Sequence, residues 1–327
     1  MQTKKKVLII KTSSMGDIIH TLPAITDAGK ALPYIEFDWI LEKNFSQIPT
    51  WHPQIKNTIP ITLRTWKKKY YNLKSYQAYF KFINQLKNKK YDIVIDAQGL
   101  IKSSFLITYF TQGEKHGMDY KSIREPIASL CYNKQHKIPK QQHAVERIRQ
   151  LFSLSLQYPL PTSKINYHIS HNFKTKKYIS PYLIFLHSTT HAKKHWPESH
   201  WRDILQKTIT AGYKIKLPYW SYNEQLRIKR IINGLNNNIM ILSQPTLTEI
   251  AKEIASARAV ISVDTGLSHL TAALSRPNLT LYGPTNPQLI GVYGDHQQKI
   301  HSTKKIMDSI TPEEVWKKFQ KILNKQI

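Results

Sequence analysis

Apolar residues in this chain of 327 residues fall into two textures: short unbroken runs, and longer stretches where they recur every three or four positions. Val7–Lys11, Ile35–Leu41 and Ile93–Asp96 are of the first kind, rich in Ile, Val and aromatic residues, and predict strands. Ile18–Lys30 and Tyr76–Lys89 have helical spacing. The alternation starts again at Leu183–His187 and continues through Trp201–Ala211, Lys214–Leu217, Asn223–Ile232, Met240–Leu242, Leu247–Ser256, Ala259–Val263 and Leu279–Tyr282. Strands alternating with helices predict doubly wound α/β folds, and two such series predict two domains. The Pro-rich, polar segment 157–163 is the natural linker, giving domains 1–160 and 161–310. A last helix, within 311–327, opens with Thr311 as N-cap, Pro312 in the first turn and Glu314 at the third position. Its return to the N-terminal domain is left open.

Open parallel sheets place ligands beyond the carboxyl ends of their strands, so the residues that follow each predicted strand carry the candidate chemistry. Val260–Val263 stops at Asp264-Thr265-Gly266 before a helical stretch, and Leu279–Tyr282 stops at Gly283-Pro284-Thr285. Strand, glycine turn and helix together make a phosphate-binding arrangement through the unpaired N–H groups and dipole of the helix start. Gly266 and Gly283 serve equally well in tight connections that bind nothing. Strand one runs into Lys11-Thr12-Ser13-Ser14-Met15-Gly16-Asp17, where Asp17 is either a first-turn cap or a general base. With a reference pKa of about 3.9 such a base acts late, as positive charge develops at the atom attacked. In the second half, the hydroxyls of Ser188, Thr189 and Thr190 followed by Lys194 suit a leaving diphosphate. Glu224 suits ribose hydroxyls or a first helical turn, and Asp264 suits sugar hydroxyls or local capping.

No GxxxxGK[ST] or GxGxxG is present, which removes the usual support for nucleotide hydrolysis and hydride transfer. Fourteen histidines include no HExxH, and no catalytic metal is expected; His20 and His143 read as polar core or cleft residues. The single cysteine, Cys131, excludes an internal disulfide and reads as a buried structural thiol in a reducing compartment. No apolar run reaches the roughly 18 residues that span a bilayer, and the N-terminus does not read as a signal peptide, so a cytoplasmic protein is expected. Forty-eight Lys and Arg against 21 Asp and Glu give a net charge of +27, and residues 51–100 hold ten basic residues against two acidic ones. Nucleic acid, an anionic membrane or a phosphorylated lipid would each satisfy that field, unless it reflects lysine-rich composition alone.

The segments KTSSMGDIIHTLPAITDA (11–28), FDWILEKNFSQIPTWHP (37–53), DIVIDAQGLIKS (92–103), KHGMDYKSIREPIASLCYN (115–133), KQQHAVERIRQLF (140–152), HSTTHAKKHWPESHW (187–201) and VDTGLSHLTAALSRPNLTLYGPTNP (263–287) together resemble glycosyltransferase family 9. The resemblance covers both domains. It implies an α/β GT-B fold, two facing Rossmann-like domains with a cleft between them, and a nucleotide sugar held mainly by the second. It further implies inverting transfer of L-glycero-D-manno-heptose from ADP-heptose to the first Kdo of Kdo2-lipid A, with no cofactor and no metal, by a protein peripheral to the cytoplasmic face of the inner membrane. Asp17 matches the family's base. Thr189, Thr190, Lys194, Glu224, Asp264, Thr265, Gly266 and His269 match its donor site, Lys194 also as a catalytic countercharge. Ser14, Gly16, Arg64, Lys67, Lys68, Arg124 and Arg147 match its acceptor side. Two departures are Thr65, where an arginine is expected, and Tyr219-Trp220-Ser221, in place of a Trp-Gly pair. Competing expectations are a later enzyme that extends an existing heptose and a basic nucleic-acid-binding protein, the latter without a recognised motif.

Overall fold

The computed structural model describes residues 4–63, 73–173, 181–235 and 238–324. They form two compact units, Met1–His168 and Ile169–Ile327. The first unit is built on strands β1 (Lys5–Ile10), β2 (Ile35–Glu42), β3 (Ile55–Ile61), β4 (Lys90–Asp96), β5 (Gln112–Met118) and β6 (Lys134–His136). They pair in parallel in the order β3-β2-β1-β4-β5-β6. The second unit repeats the plan with β7 (Tyr182–Leu186), β8 (Lys214–Tyr219), β9 (Ile239–Ser243), β10 (Ala259–Val263), β11 (Asn278–Tyr282) and β12 (Gln297–His301), ordered β12-β11-β10-β7-β8-β9 and again parallel. In both units the first strand lies between the second and the fourth. The chain therefore reverses its direction of travel across the sheet there, and the loops leaving the first and fourth strands diverge to open a crevice.

Central strands of such sheets are covered on both faces, which explains their continuous apolar runs. Val7, Leu8, Ile9 and Ile10 of β1 and Leu183, Ile184 and Phe185 of β7 are fully buried. β5, β6 and β12 are absent from the sequence reading because QGEKHGM, KQH and QQKIH offer no apolar pattern. Backbone pairing holds them: β12 lies in register with β11 over five residue pairs. The helix Ala144–Leu156 did carry a signal, with Val145, Ile148, Leu151 and Phe152 buried on one face.

Arg149 on that helix decides where the first unit ends. Its Nε donates to Asp27 Oδ2 at 2.6 Å, Nη1 to Glu146 at 3.1 Å and Nη2 to the Pro161 carbonyl at 3.1 Å. The segment that reads as a linker is thus fastened to the first unit, with Tyr158 and Tyr167 buried in it. The unit boundary falls after His168 rather than at 160.

The C-terminal helix, Pro312–Leu323, is capped as its sequence predicts, Thr311 Oγ1 accepting from the Glu314 N–H at 3.2 Å. Val315, Phe319, Ile322 and Leu323 join Phe185 and Trp201 in the core of the second unit. The helix is thus part of the second unit's own core. Gly283 also has a packing role: a Cβ there would lie 2.9 Å from Met307 Sδ and 3.1 Å from its backbone nitrogen.

Replacing Arg149 by Met would leave Asp27 buried without its partner, a change that costs about 3–5 kcal/mol. Urea unfolding of the full chain should show a loss of that order, and a loss below about 1 kcal/mol would mean that the pair does not fasten the unit.

Candidate functional site

In the first unit the crevice is shaped by Asp96, the last residue of β4 and nearly inaccessible to water. A buried carboxylate must find donors inside the protein. Asp96 accepts from the backbone N–H groups of Gln98 and Gly99, each at 3.0 Å, and from the hydroxyls of Ser104 and Thr108, each at 2.9 Å. Gly99 closes this turn at a φ of 65°, open to glycine at little strain. The turn aims Gln98 Oε1 at the loop leaving β1, where it accepts from the Thr12 N–H at 2.8 Å and the Ser13 N–H at 3.1 Å. The two diverging loops are thereby tied.

Asp17 stands at the end of this chain of contacts, third residue of the helix Met15–Ala31. Its Oδ2 accepts from the Ser14 N–H at 2.8 Å and the Ser14 hydroxyl at 2.9 Å, while Lys11 Nζ lies 4.0 Å from Oδ1. Lys11 is itself anchored on the Ala97 carbonyl at 2.9 Å. Asp17 thus caps the helix, and its side chain remains 42% exposed, so capping leaves the carboxylate accessible.

The acceptor-side candidates separate. Ser14 and Gly16 adjoin Asp17, and Arg124 lies exposed in the segment after β5. Arg147 is engaged structurally: its Nη2 donates to the Ser122 carbonyl at 2.6 Å, and burial pulls its guanidinium below the usual range. It shapes the loop that carries Arg124. Arg64, Lys67 and Lys68 lie outside the described residues. His20 and His143 are both buried, their rings meeting edge to face at 5.3 Å. Cys131 is half-buried and its thiol is pushed up by burial.

In the second unit the loops leaving β7 and β10 are tied by charge. Lys194 Nζ lies 2.6 Å from Asp264 Oδ2, the same oxygen accepts from the Thr285 hydroxyl at 2.6 Å, and the Thr189 hydroxyl donates to the Asp264 carbonyl at 3.2 Å. Asp264 is buried and Lys194 is about a quarter exposed. The carboxylate is engaged by Lys194 and Thr285, whereas the sequence suggested sugar hydroxyls or backbone capping. Thr265 then serves as N-cap of the helix Gly266–Ala273 in an extended conformation without a side-chain cap bond, and His269 is buried one turn along. The start of that helix, with its first-turn N–H groups, lies directly after the lysine–aspartate pair.

Glu224 ties a third loop. Its Oε1 accepts from the Ser188 hydroxyl at 3.0 Å and its Oε2 from the Trp220 N–H at 2.6 Å, while Ser221 caps the same helix start. His195 Nε2 lies 2.8 Å from the Thr189 carbonyl and closes the β7 loop on itself. Thr190 is exposed at the loop tip. Sequence reasoning gave no individual role to Gln98, His195 or Thr285. Gln98 and Thr285 sit in DAQG and GPT, each just past a strand, and that position was the available signal. Among the described residues no group of three or more His, Cys, Asp or Glu is arranged to hold a metal ion, and no helix is long and apolar enough to cross a membrane.

Residues 79–319 match the family model for glycosyltransferase family 9 (heptosyltransferase). Lipopolysaccharide heptosyltransferase 1 of Salmonella typhimurium (strain LT2) is 50% identical over 294 residues, covering 89% of this chain and 92% of that protein. Among solved structures, E. coli heptosyltransferase WaaC with ADP is similar with a TM-score of 0.92 at 46% identity, over 97% of this chain and 99% of the other. The same E. coli protein with ADP-2-deoxy-2-fluoro heptose gives 0.91 at 45% identity with the same coverage.

At the root of the β7 loop, burial beside Arg227 holds the His187 imidazole down, at about 4 against an ordinary 6.5. The unfolded chain therefore binds a proton between those values that the folded chain refuses, so this residue lowers stability as pH falls through that window. Unfolding free energies of the parent and of His187→Asn should converge by about 2 kcal/mol between pH 7 and pH 5. A constant difference between them would show that His187 does not titrate this way.

Proposed function

The chain belongs to glycosyltransferase family 9 and is a heptosyltransferase, and we propose that it transfers L-glycero-D-manno-heptose from ADP-heptose to the first Kdo of Kdo2-lipid A with inversion. The observation that carries the donor side is the Lys194–Asp264 pair set directly before the Gly266–Ala273 helix. A diphosphate placed there meets the first-turn N–H groups and helix dipole, with the ammonium held alongside. Asp264 keeps Lys194 aimed into the crevice before the donor arrives, and the lysine shares its charge with ADP as the glycosidic bond breaks. Thr189, Thr190 and Glu224 lie on the loops around it, Thr265 and Gly266 begin the helix, and His269 is buried one turn along it. The similarity to E. coli WaaC, whose structures hold ADP and a fluorinated ADP-heptose, supports this choice of donor.

On the acceptor side Asp17 takes the proton of the attacking Kdo hydroxyl. Ser14 fixes one carboxylate oxygen and so orients the carboxylate as a whole. Proton transfer occurs late, once the anomeric carbon has drawn electron density from the hydroxyl. Gly16 stands beside Asp17 in the first turn of its helix, and Arg124 is on an exposed segment suited to the acceptor's anionic groups. Arg64, Lys67 and Lys68 would add to that charge. The lipid acceptor sets the place of work, the cytoplasmic face of the inner membrane, which the strongly basic composition favours.

The defining test is mass-spectrometric detection of transfer from ADP-heptose to deacylated Kdo2-lipid A, beside an acceptor that already carries one heptose. Addition to the bare Kdo acceptor alone is expected; addition to the other alone would assign a later step. Asp17→Asn should lower kcat by about two to four orders of magnitude while donor affinity stays within about twofold. Near-parental turnover would remove Asp17 from the base role. Lys194→Ala should weaken ADP binding as well as turnover, each by roughly tenfold or more, since it meets charge in both ground and transition states. Unchanged ADP affinity in calorimetry would contradict that placement.

A further inference from the structure

The first unit carries an apolar face that its own core does not use. The helix Leu73–Lys87 has two stripes: Phe82, Ile83 and Leu86 turn toward the sheet, while Tyr76 and Phe80 point to solvent with ring centroids 4.6 Å apart. This exposed stripe continues onto neighbouring elements. Tyr79 donates its hydroxyl to the Leu106 carbonyl at 3.1 Å, joining the helix to Ile101–Leu106 and the turn after it, where Phe105 and Tyr109 are exposed. The Ile101 N–H donates to Glu125 Oε2 at 2.6 Å, joining that helix in turn to the Pro126–Cys131 turn, where Ile127 and Leu130 are exposed, Leu130 by 73%. Exposed apolar side chains gathered on adjoining elements in this number mark an interaction surface.

Charge decides the partner. Exposed Lys81, Lys102, Lys121 and Arg124 lie on the same elements and the segment joining them. The acids there are engaged: Glu125 by the Ile101 N–H, and Asp119 by the Ser122 N–H at 2.8 Å. A second copy of this chain would bring lysines against lysines. We infer that the face formed by Tyr76, Phe80, Phe105, Tyr109, Ile127 and Leu130 inserts shallowly into an anionic bilayer, with the surrounding cations on the lipid headgroups. Aromatic and aliphatic tips among lysines are the composition of interfacial anchors. Insertion of this kind adds an apolar component, so binding persists at salt concentrations that screen headgroup attraction. The inference rests on the functional reading only in that a lipid-borne acceptor brings the enzyme to a bilayer; binding itself needs neither donor nor acceptor.

The test is co-sedimentation of the full chain with acceptor-free phosphatidylethanolamine–phosphatidylglycerol vesicles, in low salt and in about 0.5 M NaCl. The parent should bind in both conditions, and Phe80→Ser/Leu130→Ser should bind roughly tenfold more weakly in both. Heptose transfer by that variant to the deacylated, water-soluble acceptor should stay within about twofold of the parent, which separates this face from the active site. Equal binding by parent and variant would overturn the inference, as would binding lost entirely in salt. Concentration-dependent dimerisation of the parent that the variant abolishes, without vesicle binding, would reassign the face to a second copy. Loss of transfer with normal vesicle binding would leave the inference standing and count against the functional reading alone.

Discussion

A carboxylate withdrawn from water at the carboxyl end of a fourth strand must be satisfied from within, and in each unit that requirement shapes the crevice. Asp96 ends β4 and Asp264 follows β10, the corresponding strand of the second sheet. Asp264 is tied directly to the loop leaving the first strand of its sheet, Asp96 only through the turn it holds, at the place where an open parallel sheet would otherwise part. Asp96 is satisfied by neutral donors, and the turn that supplies them carries Gln98 to Thr12 and Ser13. Asp264 is satisfied by Thr285 and by an ammonium from the opposite loop. One ligand set is fixed; the other includes a cation that can be shared with an anionic substrate.

That difference distinguishes the two units. The first unit orients a carboxylate through hydrogen bonds of ordinary length, with Ser14 and Lys11 completing what Gln98 begins. In the second, a lysine that is partly exposed and already paired stands before a helix start. On the proposed reading, a diphosphate at that helix start would share the ammonium with Asp264 rather than displace it, since a buried carboxylate left without its partner is costly.

Much of this was legible in the sequence, for reasons that can be named. Strands buried on both faces leave continuous runs such as Val7–Ile10, and capped helices announce themselves, as Thr311 and Glu314 do. Strand ends identified Asp17, Lys194 and Asp264 as candidates, because position alone places such residues at a crevice. What stayed hidden depends on partners distant in sequence. The Lys194–Asp264 pair spans 70 residues and the Gln98 contact to Thr12 spans 86. Edge strands hold by backbone pairing that side chains do not advertise. Glycine after a strand has two uses, and only the approach of Met307 shows that Gly283 serves packing. The bond from Arg147 to the Ser122 carbonyl spans 25 residues and is equally invisible in sequence.

If a prearranged tie between diverging loops positions Asp17 for catalysis, Gln98 is the residue whose loss reveals it. Steady-state transfer and ADP calorimetry on Gln98→Ala should show kcat lowered by about tenfold or more, donor affinity unchanged, and the fold retained. Turnover within about twofold of the parent in a folded variant would mean that Asp17 is held in place by other contacts and that the tie is incidental to catalysis.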